Sequence, residues 1–309
     1  MSNDICPVCS SSKLKFERKI KKYSLEKCVS CGIVFVSPRP YNKDVSDLYV
    51  DRSDDLDKLI SIYQRTAIFK IPEYKKHLDL ISRLLPGKGR LLDFACGAGH
   101  FFEQAQIAGW DAHGSELGNW AKIACESRNV SNIHIGQLQD INFPDEHFDV
   151  VYAAQVFEHL SNPRNDIKEI SRILRSGGIL YANVPNYRTL SIMLGKDRFT
   201  FNEPPQHINY FTPKSFAYMI KSSGFFIEHL TTEGGLNWEN LLGRNIKSDI
   251  VDAYNIDKNA ECNDSCIITP KTPSLFNIFK KLVKSIIVTP LLYKTFKIGI
   301  SLTIIARKK

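Results

Sequence analysis

The segment Leu91-Leu92-Asp93-Phe94-Ala95-Cys96-Gly97-Ala98-Gly99 constrains this chain more than any other: an apolar run closed by an acid, then small residues, then a helical pattern from His100. Gly97 and Gly99 permit a tight turn and a close backbone approach to a ligand, and the amides of a starting helix favour an anionic group. A strand feeding such a turn suits a doubly wound α/β sheet, whose ligands bind beyond the carboxyl ends of the strands. Short apolar runs alternate with helical periodicity around it. Strands are expected at 90–94, 111–115, 133–135, 149–154, 179–184 and 225–231, helices at 101–108, 120–127, 165–174 and 214–222, and a last strand at 298–306.

Two kinds of ligand compete for that turn. A dinucleotide loop needs G-x-G-x-x-G, and here the run Gly97-Ala98-Gly99-His100-Phe101-Phe102 lacks the third glycine. An acid just ahead of the loop also suits a pyrophosphate poorly. Asp93 is instead placed to accept hydrogen bonds from a ligand amino group, directly or through water. The next strand ends in Glu116, which can hold both hydroxyls of a ribose. The methionine part of S-adenosylmethionine (SAM) carries the carboxylate and amino group that this arrangement asks for.

The cysteines form a second pattern. Cys6-Pro-Val-Cys9 and Cys28-Val-Ser-Cys31 repeat the C-x2-C spacing with 18 residues between the pairs, the arrangement of a four-thiolate zinc site. A rubredoxin-like iron site and disulfides are the alternatives. Four sulfur ligands leave no open position, so a zinc there is structural, and a module this small needs the ion for stability. Cys262 and Cys266 have no matching second pair. The reading is a zinc-ribbon over 1–45, a helical linker over 46–85, a SAM-binding domain over 86–235, a helical insertion or cap over 236–296 and a final strand over 297–309.

Longer segments add a resemblance. Residues 90–230 resemble the class I SAM-dependent methyltransferases, in the broad methyltransferase-domain group that includes the ubiquinone-biosynthesis O-methyltransferases. Phe143–Val151 resembles the turn into the fourth strand, Gln155–Leu160 the E-x-x-E-H segment, Arg172–Gly178 the R-x-L-K-P-G-G turn, and Gln206–Thr212 the H-x-x-x-F-T segment. The resemblance implies a Rossmann-like, seven-stranded, mostly parallel sheet with an antiparallel last strand, beside the small ribbon. It implies SAM contacts at Asp93, Ala95, Gly97, Gly99, Glu116, Gln137, Leu138 and Gln155. Three positions depart from the pattern. Ala95 stands where the first loop glycine is usual, Gln137 where an aspartate accepts from the adenine amino group, and Gln155 where the first acid of E-x-x-E-H is usual. The Gln137 amide oxygen can still accept that bond, with Leu138 packed on the ring.

Methyl transfer from a sulfonium is an in-line displacement, so alignment supplies much of the catalysis, and a hydroxyl acceptor also needs a base. His159 and His207 are the candidate bases, with Glu158 orienting either. The lack of an Asn-Pro-Pro-Tyr-like segment after the fourth strand favours oxygen or carbon acceptors, and the zinc module points by analogy to a small molecule or glycan precursor. An RNA acceptor is the rival, because Lys13, Lys15, Arg18, Lys19, Lys21, Lys22 and Lys27 make the ribbon basic in a chain of net charge +8. A non-catalytic SAM-binding or zinc-scaffold protein is a third reading. The amino terminus has no secretory pattern, so a cytoplasmic protein is expected. The amphipathic stretch 274–288 reads as a packed helix, with peripheral membrane contact as its alternative.

Overall fold

The computed structural model describes residues 4–40, 56–189, 204–233 and 299–309. The expected cap over 236–296 and the stretch 274–288 lie outside the described residues. No helix among the described residues is long and apolar enough to cross a membrane.

The amino-terminal module is a hairpin, β1 (Leu14–Ile20) and β2 (Tyr23–Cys28), with β3 (Val34–Ser37) antiparallel to β2. Strand β2 was not foreseen. Its hairpin turn is Lys21-Lys22, with Lys21 at φ 53°, and no Asn-Gly pair announces it. The module's sheet takes a fourth strand from far along the chain, β9 (Asn209–Tyr210), through the pairs Val34 with Tyr210 and Phe35 with Asn209. Two residues are too few to show an alternating pattern, so sequence alone could not find β9.

Helix α1 (Leu56–Leu84) leads into the main unit. Its elements follow as β4 (Arg90–Phe94), α2 (His100–Ile107), β5 (Asp111–Glu116), α3 (Asn119–Glu126), β6 (Ile133–Ile135), β7 (Phe148–Ala154), α4 (Pro163–Ile173) and β8 (Leu174–Pro185). After β9 come α5 (Pro213–Ser222), β10 (Phe225–Glu233) and β11 (Ser301–Lys308). The sheet order is β10-β11-β8-β7-β4-β5-β6, with β11 antiparallel to both neighbours and the other neighbouring pairs parallel. This is the expected seven-stranded, mostly parallel sheet. The order reverses between β4 and β7, which opens a crevice at their carboxyl ends.

Helix α4 starts with Pro163 after Asn162, whose side chain accepts from Asn165 N, and α5 starts with Pro213 inside a Thr212/Ser215 capping box. Both cover one face of the sheet. Their buried residues Ile167, Ile170, Phe216 and Ile220 join a core that also holds Leu92, Val151 and Leu180. Cys6, Cys28, Cys31 and Phe35 belong to that same core, so ribbon and sheet are packed as one body. The other face packs against α1 and α2 through Leu78, Ile81, Phe101 and Phe102.

Candidate active site

A cavity of about 950 Å³ opens at the crevice, lined by Phe94–Ala98, His100, Glu116, Trp120, Gly136–Asp140, Gln155, Val156 and His159 among others. The turn after β4 shapes its floor. Ala95 takes φ 56° and Gly97 φ 57°, so a left-handed backbone is present where the glycine of the resembling family is replaced. Gly97 N donates to Glu116 Oε2 at 2.9 Å and Leu117 N to Oε1 at 2.8 Å, which aims the carboxylate at the cavity from the end of β5. Glu116 is almost buried and lines the cavity wall.

Two expected cofactor residues lie behind this wall. Asp93 is buried and does not line the cavity; burial, then the Glu116 charge, raises its pKa well above the usual carboxylate range, and the Phe102 amide opposes them. Gly99, at φ 79°, also lies off the cavity, and a Cβ there would come within 2.6 Å of Cys125 Sγ. Its glycine serves chain geometry and packing. Ala95, Gly97, Gln137, Leu138 and Gln155 do line the cavity. Gln155 is held by Asn183, whose Oδ1 accepts from its Nε2 at 2.5 Å.

Beyond β7 stand the three candidate catalytic residues. The His159 and His207 rings meet edge to face with centroids 4.5 Å apart, and His159 Nε2 lies 3.7 Å from Glu158 Oε1. One ligand atom from each of the three falls within 4.8 Å of the others, a spacing that would admit a cation. Only His159 lines the cavity. Its Nδ1 lies 2.7 Å from Gln206 O; a carbonyl only accepts, so Nδ1 carries the hydrogen and the neutral ring has its lone pair on Nε2. Burial lowers the His159 pKa, and burial with the nearby His159 lowers His207 to about 3. Glu158 is buried with no hydrogen bond to either oxygen, and burial pushes it up to about 8.

Sequence reasoning missed the cover of the site. Ala67, Lys70 and Tyr74 follow one face of α1 and line the cavity, although 46–85 read as a linker. Their i, i+3, i+7 spacing is the signal that could have found them. Asp166, in the first turn of α4, also lines it; burial raises its pKa to about 6, and Gln139 Nε2 donates to it at 2.8 Å.

The cysteines converge away from this cavity. Cys6 Sγ lies 3.5 Å from Cys31 Sγ and Cys9 Sγ 3.5 Å from Cys28 Sγ, with all four sulfurs within 4.8 Å of one another. Sulfurs bound at about 2.3 Å around a tetrahedral ion stand about 3.8 Å apart, whereas a disulfide needs about 2.05 Å. The donor set fits a zinc ion, and the thiols are free. Burial pushes the Cys9 thiol up to about 11, while the Cys6–Cys31 contact takes Cys6 down to about 5 and Cys31 up.

The methyltransferase-domain family profile matches residues 64–230, more than half of the chain. The chain belongs to the methyltransferase-domain family. It is a SAM-dependent methyltransferase, with SAM as the donor that the family implies. A ubiquinone biosynthesis O-methyltransferase of Acinetobacter baylyi is 25% identical over 160 residues, covering 48% of this chain and 67% of that one. An uncharacterized protein of Methanocaldococcus jannaschii is 28% identical over 152 residues, 49% of this chain and 71% of its own. The solved MccD protein superposes with a TM-score of 0.50 at 19% identity, over 77% of this methyltransferase and 98% of its own chain, which shows the fold.

Proposed function

We propose that this methyltransferase transfers the SAM methyl group to an oxygen, or to a carbon, of a small molecule or glycan precursor, with His159 as general base. One observation carries the reading: His159 alone of the candidate bases lines the cavity, and Gln206 fixes its tautomer with Nε2 as acceptor. In an oxygen transfer, Nε2 takes the hydroxyl proton as the new C–O bond forms and the C–S bond breaks, leaving a neutral thioether. Glu158, with Oε1 3.7 Å from Nε2, is placed to orient the ring. Glu116 holds the ribose hydroxyls, the amides of the β4–α2 turn take the methionine carboxylate, and Gln137 and Leu138 hold the adenine. Asp93 acts from behind the wall, through water or through the turn. Cys6, Cys9, Cys28 and Cys31 hold a structural zinc, with 1–45 as ribbon, 46–85 as the connecting helix and 86–235 with 297–309 as the catalytic unit.

The test is transfer of labelled methyl from SAM to sugar nucleotides, glycolipids and RNA, with products identified by mass spectrometry. Incorporation into a small molecule that falls at least about 100-fold in His159→Gln supports the reading; an unchanged rate removes His159 as base. Exposed Lys13, Lys15, Lys19, Lys21 and Lys22 favour RNA as the second reading. Labelled RNA, with binding that weakens steeply in salt, would establish that acceptor instead.

A further inference from the structure

The ribbon ends in a side chain that reaches the loop carrying the proposed base. Arg39 Nη2 donates to Leu160 O at 3.1 Å and to Ser161 O at 2.8 Å, and its Nη1 donates to Asn209 Oδ1 at 3.0 Å. Asn209 passes the hold onward, its Nδ2 donating to Phe157 O at 2.8 Å and Leu160 O at 2.7 Å. The amides of Ile208 and Asn209 both donate to Glu158 O, at 2.9 and 3.1 Å. The carbonyls on either side of His159 are therefore all occupied. On the ribbon side, Asp4 Oδ2 accepts from Arg39 N at 3.2 Å and from Ser37 Oγ at 2.8 Å, and the guanidinium lies 5.9 Å from the Phe35 ring centre. Strand β3 carries Phe35 into the pairing with β9, two residues beyond His207.

A planar guanidinium satisfies two adjacent carbonyls and an amide oxygen at once, and a peptide plane in the loop cannot turn without losing a charge-assisted bond. We propose that Arg39 is a positioning residue for methyl transfer: with Asn209 it clamps Phe157–Ser161 so that His159 keeps Nδ1 on Gln206 and its ring at the cavity wall. This rests on His159 as the base. The ribbon then acts on catalysis through Arg39 and the β3–β9 pairing, while its thiolates stay remote from the chemistry.

The experiment compares the full-length, metal-loaded protein with Arg39→Ala and Arg39→Lys. Four readouts are taken: metal content, SAM affinity by calorimetry, imidazole ¹⁵N NMR of His159, and kcat against pH with the acceptor found in the labelled-methyl screen. Arg39→Ala is expected to keep its metal and to hold SAM affinity within about twofold. Its His159 ring should average between tautomers, and kcat should fall about 100-fold, the scale of a misplacement near 1 Å. Arg39→Lys, with one ammonium in place of a fork, should restore part of the Nδ1–H signal and part of the rate. The proposal is overturned if Arg39→Ala keeps the wild-type tautomer and kcat. It is equally overturned if metal, SAM affinity and kcat fall together in both variants, because Arg39 then only holds the molecule together. Failure of the base assignment is distinct: His159→Gln would retain activity while the NMR response to Arg39→Ala persists.

Discussion

At the scale of single residues, two side chains sit in places that cost stability. Ala95 holds φ 56°, a conformation that costs a residue with a Cβ about 1–2 kcal/mol. Ala95→Gly is expected to stabilise the protein by about 0.5–1 kcal/mol after the entropy of the unfolded glycine is deducted, as measured by urea denaturation. Glu158 is the sharper case, a buried carboxyl with two oxygens that take no hydrogen bond. Its folded pKa of about 8 lies above its ordinary value of 4.5, so the native state binds more protons than the unfolded chain between those limits. Stability therefore falls as pH rises through that window, by at most about 1.4 kcal/mol per unit. Glu158→Met should flatten this slope and stabilise the fold at pH 8, while kcat drops by tenfold or more. A mutant that keeps the wild-type pH slope would show that the carboxyl is not the titrating group. The burial behind this cannot be read from a Glu-His dipeptide, which looks like surface in the sequence, whereas Glu116 is legible because it ends the strand that follows the Asp93 strand and its glycine turn.

At the scale of elements, helix α1 is the part most changed by the structure. Tyr74 meets Phe101 edge to face at 5.6 Å, and His77 Nδ1 lies 3.0 Å from Tyr152 Oη, so the helix is fastened beside the cavity it covers. Tyr74→Ala is expected to weaken SAM binding about tenfold in calorimetry, through lost cover of the cavity wall. Unchanged affinity would place the cover over the acceptor instead. The strands and helices of the main sheet were legible where an apolar or amphipathic run is present, as in Ile179–Val184 and Pro163–Ile173, whereas Leu174–Gly178, read as the end of a helix and a turn, already belongs to β8. Strands β2 and β9 were not, because one rests on a lysine turn and the other on two residues, Asn209 and Tyr210, whose partners Phe35 and Val34 lie near the other end of the chain. Short-range patterns record local preference, and pairing across such a distance leaves none.

At the scale of the whole molecule, the question is whether the cysteine module melts with the sheet or before it. Small domains joined by polar contacts unfold separately, whereas a shared apolar core couples them. Here Cys6, Val8, Ile33 and Phe35 lie in one buried cluster with Phe157, Phe211 and Phe216, and β3 hydrogen-bonds to β9. Loss of the proposed zinc would leave four converging sulfurs in that cluster without their counter-charge, and structural zinc contributes on the order of 10 kcal/mol in isolated fingers. Cys9→Ser, or removal of metal by a strong chelator, is expected to lower Tm by about 10 °C or more in one cooperative transition. Glu116 and the β4–α2 turn stand apart from the thiolates, so the same protein below its new Tm should still bind SAM. Two separate transitions in scanning calorimetry, the lower one alone sensitive to metal, would mean that the ribbon's core is independent of the core that carries the loop of His159.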